Sequence, residues 1–124
     1  MHYCSFLLGK EEPTIESIEK VMNGCQQDIC WDWYSIGGRW YEMLAKKNVN
    51  CNIAKISDVT NFDETTPYTV IMDNGEYDMV RCGVHEADGK FEYWEEPYED
   101  WEKRVKGYLL DYKDGYVAVI DYHI

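Results

Sequence analysis

Apolar and polar positions along the chain fall into a few well-separated patterns. Tyr3–Leu8 is a short, largely apolar run that stops at Gly9, the pattern of a buried strand. Pro13 and Thr14 open a helix, with Thr14 as cap and Glu16 and Ser17 in the first turn. Ile15, Ile18, Met22 and Cys25 share one face at helical spacing, Glu16, Glu19 and Lys20 lie outside, and Gly24 marks the end. Tyr68–Met72 and Tyr77–Cys82 flank Asp73-Asn74-Gly75, the strongest short-range hairpin signal in the chain, and predict a type I′ turn. Residues 97–112 predict a second helix with Trp101, Val105, Tyr108/Leu109 and Tyr112 on one face, Pro97 at its first position and the pairs Glu99–Lys103, Asp100–Arg104 and Glu102–Lys106 at i,i+4. Asp114-Gly115 turns the chain into a last strand, Tyr116–Ile124. There Val117, Val119 and Asp121 face one way, and Ala118, Ile120 and Tyr122 the other.

Two stretches are less regular. Residues 31–44 are dense in aromatics and broken by Gly37-Gly38; the second half fits either a strand or the start of a helix. Residues 45–66 are polar and mixed, with a short apolar piece at Ile53–Val59, and read as a loop or insertion. Gly83 and Gly89 punctuate a further loop that leaves His85 and Glu86 solvated. This order predicts an α+β fold with two helices on one face of a mostly antiparallel sheet. A ferredoxin-like βαββαβ plait with an insertion near 45–66 fits it best.

At 124 residues the chain is expected to form one domain, 1–124. Acids outnumber bases 24 to 12, a net charge of −12. Phosphate neutralisation needs clustered Lys and Arg, so direct nucleic-acid binding is excluded, and anionic lipid would repel the chain. The five cysteines are odd in number and form no C-x-x-C, so neither a disulfide framework nor a metal pattern is expected; free thiols in a reducing cytoplasm is the simplest account. Tyr3–Leu8 is too short for a signal-peptide core and charged residues follow it at once. The expected location is therefore the cytoplasm. Eleven Tyr and five Trp against three Phe enrich side chains that join an apolar face to a polar tip, as binding surfaces do.

Three constellations could carry chemistry. The first is Trp31, Asp32, Trp33, Tyr34, Gly37, Gly38, Arg39 and Trp40. Two glycines let a ligand approach the backbone and can present N–H groups as an anion nest. Arg39 offers a fork for phosphate, and the rings offer faces for a base. Asp32 can orient Arg39 or accept from a base edge. These are the parts of a nucleotide pocket. They equally make a tight bend whose aromatics are core and whose Asp32–Arg39 pair is internal. The box is neither a Walker motif nor a Rossmann fingerprint. The second is Asp121 and His123 on one face of the last strand, with His2 in a strand able to pair beside them: a set for acid–base work or simply a held terminal histidine. The third is the acidic run Glu92, Glu95, Glu96, Glu99 and Asp100, interleaved with Tyr93, Trp94, Tyr98 and Trp101, which could compete for a basic groove or be solvated surface. No nucleophile motif is present.

The W-D-W-Y-S-I-G-G-R-W box at 31–40, the T-P-Y…D-N-G-E-Y stretch (Thr66–Tyr77) and the closing D-Y-H-I resemble a group of small, mostly uncharacterised phage and prophage proteins. In that group an aromatic following the turn glycine is often Trp, where this chain has Tyr77. The resemblance implies an origin in a mobile element, whose small proteins often counteract host defence in the bacterial cytoplasm.

Three functions follow as expectations. The first is a non-catalytic, homo-oligomeric binder that sequesters a nucleotide-type host immune signal in the 31–40 box, without cofactor or metal. The second is an acidic anti-CRISPR or anti-nuclease inhibitor occupying the nucleic-acid groove of a host defence protein. The third is a small nucleotide hydrolase using His123 and Asp121.

Overall fold

The computed structural model describes all residues from Met1 to Ile124. The chain runs β1 (His2–Gly9), α1 (Ile15–Ile29), β2 (Trp33–Ile36), a 3₁₀ turn (Gly38–Trp40), then the short strands β3 (Leu44–Lys46), β4 (Val49–Cys51) and β5 (Ile53–Lys55). Two further 3₁₀ turns lead to β6 (Thr69–Met72), β7 (Tyr77–Met79), β8 (Cys82–Ala87), β9 (Lys90–Glu95), α2 (Tyr98–Asp111) and β10 (Tyr116–His123). The architecture is α+β, with a mixed, mostly antiparallel sheet ordered β2-β10-β1-β6-β7, and β5 also pairing with β10.

The two helices lie on opposite faces of that sheet, not on one face as expected. Ile18, Met22, Cys25 and Ile29 of α1 pack with Leu7, Ile71, Ala118 and Ile120. Trp101, Val105 and Leu109 of α2 pack with Phe6, Leu8, Val70, Val117 and Val119. The physical cause is visible in the strands themselves. Cys4–Leu8 and Val117–Tyr122 are buried at every position, and a strand apolar on both sides needs cover on both. Each buried aliphatic side chain contributes on the order of 1.5–3 kcal/mol, so leaving one face wet would forfeit that amount for every such side chain on it.

The strand order also departs from a ferredoxin-like plait. β1 and β6 are direct parallel neighbours, in register Ser5–Thr69 to Leu8–Met72. A plait has only antiparallel neighbours, so this parallel pair does not belong to one, although the β1-α1-β2 unit is split as in the plait, with β10 running antiparallel between β1 and β2. β7 takes the outer edge because the turn after β6 is tight and folds it outward.

Local corrections have local causes. Thr14 caps α1 through a reciprocal capping box with Ser17. The helix passes through Gly24 and stops only at Cys30, which takes the left-handed conformation. Ile15, at 71% exposure, stands outside the core, since the first turn precedes the packed segment. In the β6–β7 turn only Gly75 has positive φ, and Asn74 accepts instead from the Glu76 N–H. The loop is thus three residues closed by a left-handed glycine, not type I′. Residues 45–66 hold β4 and β5, and β5 joins the main sheet beside Val117. The stretch 82–95 is a second hairpin, turning on Asp88-Gly89 with positive φ at both. That D-G pair is a type I′ signal, obscured by charged flanks. No helix is long and apolar enough to cross a membrane.

Candidate functional site

Strand pairing brings two of the sequence-derived constellations together. β10 sets His123 opposite Trp33 and Asp121 opposite Ser35. On its other side β1 sets His2 opposite His123 and Cys4 opposite Asp121. Trp33, His123 and His2 thus form one row on the face that carries α2, at the end where β1 begins and β10 finishes. The Asp32 N–H donates to the His123 carbonyl and the Gly37 N–H to the Val119 carbonyl, which clamps β2 at both ends.

Two histidine–carboxylate pairs result. His2 Nδ1 donates to Asp121 Oδ1 at 2.8 Å, and the Asp121 side chain is all but fully buried. Its other oxygen accepts the Arg39 backbone N–H at 3.0 Å. His123 Nδ1 meets Asp32 Oδ1 at 2.9 Å, while the N-terminal amine lies 3.0 Å from Nε2 of the same ring. The His123 hydrogen bond holds the exposed Asp32 carboxyl below its ordinary value of 3.8. The His123 ring stacks on Trp33 at 5.3 Å and 9°, and the His2 ring meets both edge-on at 5.1 Å. His2 Nε2 has no partner in the chain and is not among the buried atoms, so it reaches solvent. The four ionisable groups meet in pairs; no three His, Cys, Asp or Glu side chains converge as a metal-ligand set.

The 31–40 box divides between interior and surface. Trp31 is buried on the α1 side, its indole N–H donating to the Met22 carbonyl at 2.9 Å, and Tyr34 meets it edge-on. Trp40 packs against the core on the α2 side. Gly37 and Gly38 have φ of 79° and 52°. No open anion nest results: Gly38 lies against the chain's own Asp121 carboxylate, on which the Arg39 N–H is spent, while Gly37 rests on the Asn52 side chain and donates to the Val119 carbonyl. These glycines serve the fold. Asp32 pairs with His123 and leaves Arg39 alone, so the internal Asp32–Arg39 pair does not form. What stays free is Trp33, 44% exposed, and the exposed Arg39, whose guanidinium has no partner in the chain.

The acidic run does not form one face. Glu92 pairs with His85 at 3.3 Å, Glu95 accepts from Tyr93 at 3.1 Å, and Glu96 pairs with Arg104. Glu99 and Asp100 occupy the first turn of α2. Of the three expected i,i+4 pairs, Glu102–Lys106 forms at 3.5 Å. Arg104 turns away from Asp100 and binds Asp78 Oδ2 at 3.0 Å and the Met79 carbonyl at 3.1 Å, which ties α2 to β7 and to the base of the second hairpin.

A cleft of roughly 730 Å³ opens elsewhere, where the parallel strands β1 and β6 end and α1 begins; Gly9, Lys10, Thr14, Lys20 and Asp73 line it. Such crevices favour ligands in α/β sheets, and only the parallel pairing, a non-local fact, reveals this one. Its charges are mixed, it has no aromatic wall, and the Thr14–Ser17 box has taken helix-end donors. It contains no residue of the 31–40 box.

No family model, curated protein or solved structure matches the chain.

Proposed function

We propose that the Trp33–His123–His2 face binds a phosphorylated, nucleotide-type small molecule without transforming it. The observation that carries this reading is a half-exposed indole stacked on a histidine, together with Arg39, whose backbone N–H is anchored on Asp121 of that histidine's strand and whose exposed guanidinium has no partner in the chain. An indole face accepts a base by stacking, worth about 1–3 kcal/mol. The guanidinium accepts a phosphate in a fork. In its neutral Nδ1–H form His2 presents Nε2 as an acceptor for a ribose or base donor. Asp121 and Asp32 fix the rings, so little orientational freedom is lost on binding. The face is open, and a second copy of the chain supplies the missing walls in this reading. In the phage setting suggested by the sequence resemblance, the ligand is a host immune signal held in the bacterial cytoplasm.

A second reading follows from one specific feature. A histidine locked by a buried carboxylate with its far nitrogen in solvent is also a general base, so the same ligand could be hydrolysed. Thermal shift against mono-, cyclic and dinucleotides separates the cases. A binder shows a raised melting temperature with at least one of them, abolished in Arg39→Ala and Trp33→Ala while the unliganded fold persists. Product beyond one equivalent per chain, lost in His2→Asn, selects hydrolysis. The proposal fails if no nucleotide shifts the wild type, or if Arg39→Ala responds like it.

A further inference from the structure

The β8–β9 hairpin stands apart from the rest of the chain. It pairs only with itself, as a two-stranded sheet separate from the main one. Its base is clamped: the Arg81 N–H donates to Glu96 Oε1 and the Glu96 N–H to the Arg81 carbonyl, both at 2.8 Å, while Arg104 of α2 holds the other Glu96 oxygen. Beyond that base no helix or strand supports it.

The two faces differ. On one, the Trp94 indole lies over Gly83, where a Cβ would touch it, and His85 pairs with Glu92. That face covers part of its one large ring, with Trp94 44% exposed. The other carries Val84, Tyr93 and Phe91, exposed at 62, 65 and 79%. Val84 and Tyr93 are direct cross-strand neighbours, and Phe91 opposes Glu86 one step further out. Three large apolar side chains in a row with nothing over them are not a hairpin's own means of stability, since isolated two-stranded hairpins are marginal in water. A contiguous apolar stripe of this kind marks a contact surface.

Charge decides what covers it. Between Cys82 and Glu96 there are five carboxylates (Glu86, Asp88, Glu92, Glu95, Glu96) against one lysine, Lys90. A second copy would set these carboxylates against each other, in a chain already at −12. Nucleic acid and anionic lipid carry the same sign and are repelled. We propose that the β8–β9 hairpin is a docking arm for a protein partner whose surface is basic around an apolar slot. Val84, Phe91 and Tyr93 enter the slot, and Glu86 and Glu95, on the same face, meet the basic rim. Arg104, fixing the hairpin's base, sets the angle at which the arm projects. This inference is independent of the ligand site.

The test selects a random peptide library displayed on phage against the immobilised full chain. The enriched peptides are then synthesised as probes. The expected peptides combine Lys or Arg with aliphatic or aromatic residues. Their affinity should fall at least about tenfold in Phe91→Ser/Tyr93→Ser. It should also fall in Glu86→Lys/Glu95→Lys, which keeps the rings, and weaken as salt rises. Arg39→Ala should leave it unchanged. Enrichment of acidic peptides, no enrichment, or binding indifferent to both double variants overturns the proposal. So does wild-type self-association in sedimentation equilibrium that disappears in Phe91→Ser/Tyr93→Ser, which would give the stripe to a second copy.

Discussion

Gly38 rests directly on the carboxylate of Asp121, so close that a methyl group there would overlap Oδ2 and Cβ of that residue. Two positions separated by 83 in sequence thus hold the same corner of the molecule. The buried charge is satisfied by His2 and by the Arg39 N–H only because residue 38 has no side chain.

Gly38→Ala is therefore expected to destabilise the fold by about 2–4 kcal/mol, from left-handed strain and overpacking together. Gly89→Ala also sits at positive φ but has open space around it, and should cost only about 1–2 kcal/mol. Urea unfolding of the two variants measures the difference. Equal costs would mean that the approach to Asp121 is not what demands glycine.

The tryptophans of the box should separate in the same assay. Trp31 is buried with its indole N–H bonded, and Trp31→Ala should cost about 3–5 kcal/mol. Trp33 is half exposed, and Trp33→Ala should cost less than about 1 kcal/mol while removing the stacking face. A large loss of stability in Trp33→Ala would return that residue to the core and weaken the site.

Arg104 predicts an acid response. Its hydrogen bond holds Glu96 below the ordinary 4.5. Burial opposes the charged form of Asp78, but hydrogen bonds from Arg104 and Tyr108 outweigh it and bring that group below 3.8. Carboxylates depressed in the folded state stabilise it above their ordinary values. They lose that contribution as pH falls through the depressed ones. Between pH 7 and 3 the wild-type urea midpoint should fall more steeply than that of Arg104→Met, which starts lower. Parallel curves would show that these pairs do not contribute to acid sensitivity.

Thiol chemistry reads the burial of the core directly. Cys30 and Cys82 are exposed. Burial, aided by the Asp121 charge, pushes the Cys4 thiol up to about 12, and burial also raises Cys25 and Cys51. At pH 8 a thiol near 12 is about one part in ten thousand thiolate. Iodoacetamide should modify two cysteines per chain quickly and the other three slowly, with all five reacting in denaturant. Mass spectrometry counts the adducts. Rapid modification of Cys4 would contradict the packing of β1 against β10.

The two long helices and the central strands were legible from local pattern. Ile18, Met22 and Cys25 share a face because 3.6 residues make a turn, and Val117 and Ala118 face opposite ways because a strand alternates. A signal for two-sided burial was also present, in the unbroken apolar runs of β1 and β10, yet it does not say which helix covers which face. Asp88-Gly89 was a turn signal hidden among charges, because the strands beside it are exposed and lack an apolar rhythm. The site was half legible. Its residue types stood out, but no spacing relates His2 to Trp33, or Asp32 to His123.

What the amino-acid sequence determined by itself is therefore the identity of most elements, the direction each side chain leaves its backbone, and the inventory of groups able to do chemistry. Tertiary structure alone decided that the helices flank the sheet, that β6 lies beside β1, that Trp31 goes inward while Trp33 remains in solvent, and that Asp121 serves His2 and Gly38 together. The reason is physical. Backbone geometry repeats over two to four residues and is written locally, whereas strand partnership and burial depend on contacts between residues far apart in the chain, whose register emerges only when every apolar face is covered at once.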